Sequence, residues 1–129
     1  MICIDSDCII DFLKGKKEAI EVIKKYMDEI VTTEINVFEI FLGIYIKNNI
    51  SEKEEETTKQ FFNSLNILNI DGWGVKAARI FCSLLKEGKM IEQNDCFISA
   101  IMIVNGCNKI ITRNINHFSR IKGIDIIPY

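Results

Sequence analysis

The sequence predicts an α/β protein with a short, mainly parallel sheet covered by helices on both faces. Three observations lead there. Brief apolar runs of strand length recur at residues 2–5, 30–32, 109–112 and 125–127, and most are rich in isoleucine. Longer segments with apolar residues at helical spacing separate them. Strands that alternate with helices pair in parallel and bury both sheet faces.

The elements follow in order. Residues 2–5 form the first buried strand. Residues 6–13 form a short helix that Gly15 ends, and 17–27 a second one. Residues 30–32 are a short strand. Thr33 is placed to cap a long helix reaching Tyr45, apolar almost all round and so expected to be buried. Ser51 opens a helix to Ser64, with Glu54 at the capping-box position and Glu52-Lys53-Glu54-Glu55-Glu56 as its solvated start. Residues 65–70 are a strand or extended segment, and 75–86 a helix with Gly88 as its stop. Asn94 or Asp95 starts a helix that Gly106 ends. A strand at 109–112, a turn or short helix at 116–121 and a strand at 125–127 complete the chain.

The 129 residues contain one proline and no Ser/Pro/Gly-rich linker, so a single domain spanning 1–129 is expected. With 48% apolar and 26% charged residues the chain is globular and not disordered. Its apolar runs fall far short of the ~20 residues a membrane helix needs. No cationic leader precedes an apolar stretch with a cleavage site, so a cytoplasmic protein without membrane association is expected. The five cysteines lie in apolar segments without metal-binding spacing, which excludes a zinc module and predicts buried, reduced thiols. A net charge of −2 argues against a generic basic nucleic-acid binder. It leaves nucleases open, because the acids of a metal site count as negative until the metal binds.

Four acids stand where a folding chain normally avoids them. Asp5 ends the first apolar run, and Asp7 follows two residues later. Glu39 interrupts Ile35-Asn36-Val37-Phe38 and Ile40-Phe41-Leu42, and Asp95 opens an apolar stretch running to Val104. An ionised carboxylate beside a core costs roughly several kcal/mol unless a cation, a metal or hydrogen bonds compensate it. Carboxylates are hard donors suited to Mg²⁺ or Mn²⁺. Each acid also has an ordinary reading: Asp5 or Ser6 as a helix cap, Glu39 as half of an ion pair, Asp95 as a first-turn partner of the helix dipole. In parallel sheets, sites form at the carboxyl ends of the strands. That rim would hold Asp5, the helix starts that carry Glu39 and Asp95, and the polar stretch Thr112-Arg113-Asn114-Ile115-Asn116-His117. Within this stretch Thr112 and Asn114 suit a metal-bound water or a phosphate oxygen, and Arg113 suits a phosphate, unless the segment is an ordinary loop.

Taken together, these residues resemble the PIN-domain family, in particular the small VapC-type toxin ribonucleases. The resemblance rests on four motifs in order: Ile4-Asp5-Ser6-Asp7-Cys8-Ile9-Ile10-Asp11, Glu39-Ile40-Phe41-Leu42-Gly43, Asn94-Asp95-Cys96-Phe97-Ile98-Ser99-Ala100, and Thr112-Arg113-Asn114-Ile115-Asn116-His117-Phe118. It implies a three-layer α/β/α sandwich and a metal-dependent endoribonuclease, the toxin of a VapBC-type toxin–antitoxin pair, hydrolysing RNA. Asp5, Glu39 and Asp95 are implied as the catalytic, metal-binding acids, with one or two Mg²⁺ or Mn²⁺ ions. Asp7 and His117 are further candidate ligands. Ser6, Asn94, Thr112, Arg113 and Asn114 are candidates to orient the ligands or to touch phosphate. His117 is a departure, standing where the family has a fourth acid, which weakens a second metal position and favours Mn²⁺ over Mg²⁺. Implied partners are an antitoxin, whose C-terminal segment crosses the active-site groove, and a second copy of the chain, held through helices of the N-terminal half. Lys14, Lys16, Arg113, Arg120 and Lys122 are candidate phosphate contacts. Two alternatives stay open: a PIN-like binding or scaffold domain with a weakened site, and a small haloacid-dehalogenase-like phosphatase using Asp5-Ser6-Asp7.

Overall fold

A computed structural model describes all 129 residues. Five strands, β1 (Ile2–Ile4), β2 (Ile30–Thr32), β3 (Asn66–Ile67), β4 (Lys109–Ile111) and β5 (Asp125–Ile127), form one sheet in the order β3-β2-β1-β4-β5. Every neighbouring pair is parallel. Seven α-helices connect them: α1 (Ser6–Leu13), α2 (Lys17–Lys25), α3 (Glu34–Tyr45), α4 (Glu52–Asn63), α5 (Trp73–Lys86), α6 (Gln93–Val104) and α7 (Ile115–Phe118).

Strand side chains alternate between the two faces, and the core divides accordingly. Cys3, Val31 and Ile110 join one cluster with residues of α5, α6 and α7, including Leu84, Ile98, Ile101 and Phe118. Ile2, Ile4, Ile30 and Ile111 join the other with residues of α1 to α4, including Cys8, Ile23, Ile40 and Phe62. The result is the expected three-layer α/β/α sandwich. Central strands buried on both faces explain why β1 and β2 read as unbroken apolar runs.

β1 pairs with β2 on one side and with β4 on the other, so the strand order reverses beside it. At such a switch point the connections leave in opposite directions and open a crevice at the carboxyl ends of the strands. Asp5 follows β1 and Thr112 follows β4, both at that mouth.

The expected caps of α3 and α4 form: the side chains of Thr33 and Ser51 accept from the backbone N–H groups of Asn36 and Glu54. Gly88 and Gly106 stand at φ 67° and 73°, the left-handed geometry that ends a helix without the penalty a Cβ would bring. Several expectations are corrected. α3 is not buried all round: Asn36, Ile40 and Ile44 are buried, while Phe38, Leu42 and Tyr45 are about half exposed at 55%, 48% and 48%. α6 begins at Gln93, so Asn94 and Asp95 lie within its first turn and do not open it. α2 stops at Lys25, and a 3₁₀ turn covers Met27–Glu29. α5 starts at Trp73, after Gly72 in the left-handed region. Of residues 65–70 only Asn66–Ile67 pair as strand. All five cysteines are free, but Cys82 is exposed, where its position on a helix of mixed apolar pattern had suggested burial. No helix is long and apolar enough to cross a membrane.

Candidate functional site

The crevice beside β1 gathers the acids from four elements. Asp5 sits between β1 and α1 as the residue capping α1, and it is 6% exposed. Its Oδ1 accepts from the Ser6 backbone N–H at 2.9 Å and from Asn36 Nδ2 at 3.1 Å, and its Oδ2 accepts from Thr112 Oγ1 at 2.8 Å. Burial, then the nearby Asp7 charge, pushes the Asp5 carboxyl up to about 7, against the lowering effect of the Thr112 and Ser6 hydrogen bonds. A carboxyl in that condition prefers to share its site with a cation or a proton.

Glu39 projects from α3, half buried, and its carboxylate accepts from Ser6 Oγ at 2.9 Å and from Asn94 Nδ2 at 3.5 Å. Burial raises its pKa, and the Asp95 charge adds to the effect. Asp95, 5% exposed in the first turn of α6, accepts from Asn114 Nδ2 at 2.9 Å and lies 2.5 Å from His117 Nδ1. Burial raises the Asp95 pKa, while His117 opposes that shift. Asp7, in the first turn of α1, accepts from the Arg113 backbone N–H at 2.8 Å. Its Oδ1 is buried without a hydrogen-bond partner. A buried carboxylate oxygen without a partner, on an acid whose charge raises the Asp5 and Asp95 pKa values, is an acceptor free for a cation.

The loop after β4 binds these groups to one another. Thr112 Oγ1 donates to Asp5, lies 3.3 Å from Asp7 Oδ2 and accepts from the Asn114 backbone N–H at 2.9 Å. Asp5, Ser6, Asp7, Glu39, Asn94, Asp95, Thr112, Asn114 and His117 are thus linked to one another by hydrogen bonds around the crevice. No three His, Cys, Asp or Glu side chains are drawn together into a set that could hold a metal by themselves. The donor chemistry still fits Mg²⁺ or Mn²⁺, which bind through one or two carboxylates and keep several waters. Hard oxygen donors, raised carboxyl pKa values and the unpartnered Asp7 Oδ1 all favour such an ion.

Three of the expected phosphate contacts have partners within the chain. Lys16 and Arg113 both pair with Asp11, at 2.8 and 3.0 Å. Asp11 also accepts from the Tyr129 hydroxyl at 3.0 Å, and Lys16 holds its carboxyl below the usual range. Arg113 lends the site its backbone N–H, while its guanidinium faces away to Asp11. Arg120 donates to the Met90 carbonyl at 2.8 Å.

Sequence reasoning missed Asn36. It is fully buried, donates to Asp5 and to Ser6 Oγ at 3.0 Å, and accepts at Oδ1 from the Thr33 hydroxyl at 2.7 Å. An asparagine between Ile35 and Val37 inside a helix was the available signal, since Asn is a poor helix former.

A family model described as PIN domain matches residues 2–124. No curated protein sequence matches the chain. Among solved structures, VapBC2 from Rickettsia felis, bound to a DNA fragment from its promoter, superposes with a TM-score of 0.88 at 18% identity, covering 100% of this chain and 99% of that one. DNA-bound VapBC from Salmonella typhimurium gives 0.86 at 20% identity, covering 99% and 98%. VapBC-1 from nontypeable Haemophilus influenzae gives 0.83 at 20% identity, again covering 99% and 98%. At these identities the likeness establishes the fold.

Proposed function

The chain belongs to the PIN domain family, and from that premise we propose that it is a metal-dependent endoribonuclease, the toxin of a VapBC-type toxin–antitoxin pair, acting in the cytoplasm as one PIN-like unit over residues 1–129. PIN domains are generally nucleases, and membership sets aside the phosphatase alternative. The observation that carries the reading is the convergence of Asp5, Asp7, Glu39 and Asp95 at the switch point, with raised carboxyl pKa values at three of them and an unpartnered oxygen on the fourth.

Asp5 and Asp95 would hold the ion, which keeps several waters of its own, and Asp7 Oδ1 would be an acceptor for one of those waters. Bound there, Mg²⁺ or Mn²⁺ supplies an acidified water and charge neutralisation for in-line attack on a phosphodiester. Glu39 stands at the mouth, fixed by Ser6 and Asn94, where a carboxylate can accept a proton from the attacking water. Thr112 and Asn36 keep the Asp5 oxygens in place. Asn114 and His117 do the same for Asp95 and offset part of its charge.

Two partners belong to this reading. The structural neighbours are VapBC complexes, which supports an antitoxin. The exposed Phe38, Leu42 and Tyr45 on α3 form an apolar stripe that supports a homodimer through the N-terminal half.

One observation favours a second reading. His117 lies against Asp95 where an acid was expected, so a weakened, scaffold-type site is the alternative. In that case His117→Asp switches cleavage on.

The test is cleavage of a mixed RNA pool with Mn²⁺ by the wild type, by Asp95→Asn and with EDTA. The ribonuclease reading expects cleavage by the wild type alone. Cleavage that survives Asp95→Asn contradicts it.

A further inference from the structure

Four cations converge on a concavity that the proposed centre does not use. A cavity of about 200 Å³ is lined by Lys76 and Arg79 of α5, Arg120 and Lys122 of the loop between α7 and β5, and Ile103 of α6. None of the four cations pairs with a carboxylate. Glu87, the one acid on the wall, lies 3.8 Å from Lys89. In a chain of net charge −2 the local excess is not a reflection of overall composition. Like charges gathered in a concavity repel one another and focus a positive potential into it, an arrangement that an anion relieves. Arg120 is held in place by the Met90 carbonyl, so one guanidinium is already oriented.

Two elements, α6 and the segment that follows α7, run from the acidic crevice to the cavity. Asp95 and Ile103 lie on α6 eight residues apart, about 12 Å along its axis. Arg120 follows His117 by three residues. A strand with its reacting phosphate at Asp95 that follows α6 would bring a backbone phosphate about 12 Å further on to the Ile103 end of the basic wall.

We propose that Lys76, Arg79, Arg120 and Lys122 form a second, sequence-independent site that grips a backbone phosphate of single-stranded RNA a few nucleotides from the bond that is cut. The proposal rests on the ribonuclease reading and adds to it a substrate contact outside the acids. Arginine forks and lysine point charges are the side chains that phosphate oxygens select.

The experiment uses the full chain with Asp95→Asn, so that bound RNA stays intact. Fluorescence anisotropy follows binding of labelled single-stranded RNA between about 50 and 200 mM salt. In that background R79Q/R120Q/K122Q is compared with K17Q/K24Q/K25Q, which removes the same charge from α2. R79Q/K122Q serves as a second variant that spares the Arg120–Met90 contact, and circular dichroism verifies folding.

The site variant is expected to bind about tenfold or more weakly at the lowest salt and to flatten the log–log salt slope by about 2, while the α2 variant leaves both nearly unchanged. Equal weakening by both variants reduces the effect to net charge and overturns the proposal, as does unchanged binding by the site variant. Duplex DNA that depends on the four residues more strongly than RNA does also overturns it. Wild-type cleavage with Mn²⁺ is measured in parallel. Cleavage with no dependence on the cluster removes this proposal alone. Cluster-dependent RNA binding without any cleavage removes the ribonuclease reading and leaves the second site standing.

Discussion

Asn36 joins three parts of the crevice: its amide reaches Asp5 and Ser6, and its carbonyl accepts from Thr33. Truncation to alanine strands a buried hydroxyl and removes a donor from a carboxylate that burial already disfavours as a charge. Asn36→Ala is therefore expected to destabilise the chain by about 1–3 kcal/mol in urea denaturation. A change within error would mean that water replaces the amide freely. The acids were legible one at a time, because a charge beside isoleucines has to be explained by something. Asn36 and Asp11 were not. Besides the local Thr33 and Lys16, their partners lie 30 residues or more away along the chain, at Ser6 and Asp5 for one and at Arg113 and Tyr129 for the other. Such pairings exist only after the sheet has closed.

At the scale of elements, caps and stops were readable because their chemistry is local. Thr33 and Ser51 bond residues three positions on, and the glycines act through their own φ. Burial of α3 was not readable, since an apolar face looks alike whether a core or a partner covers it. Phe38, Leu42 and Tyr45 stay half exposed, although the Tyr45 hydroxyl donates to Glu55 of α4. If a second copy covers them, Phe38→Glu/Leu42→Glu converts a dimer to a monomer in sedimentation at equal concentration. A dimer that persists places the interface elsewhere. Residues 65–70 read as a strand or an extended segment because Leu65, Ile67, Leu68 and Ile70 are apolar, and only Asn66–Ile67 find ladder partners.

At the scale of the whole molecule, the sandwich concentrates negative charge at one mouth. The Asp5 pKa is raised from 3.8 to about 7, and those of Glu39 and Asp95 move in the same direction. For a group raised on folding, its contribution is full below the unfolded value and is lost as pH climbs through the folded one. The metal-free chain should thus melt higher at about pH 5 than at about pH 8. Asp11, shifted downward by Lys16, acts oppositely, but only in more acid solution. Added Mn²⁺ should raise the melting temperature more at the higher pH, where the acids are ionised and free to bind it. A flat profile would mean that the acids are not coupled to folding. The β/α alternation was enough to point to the rim at the carboxyl ends of the strands, whereas the reversal beside β1 that opens the crevice is seen only in the sheet order. The contents of the crevice depend on loop geometry that periodicity does not encode. The most direct measurement is calorimetric titration of Mn²⁺ into the wild type, Asp5→Asn and Asp95→Asn, with folding verified by circular dichroism. The account predicts saturable binding by the wild type and its loss in both variants. Binding that both substitutions leave intact, or a folded wild type that takes up no Mn²⁺, would contradict a metal centre at this crevice.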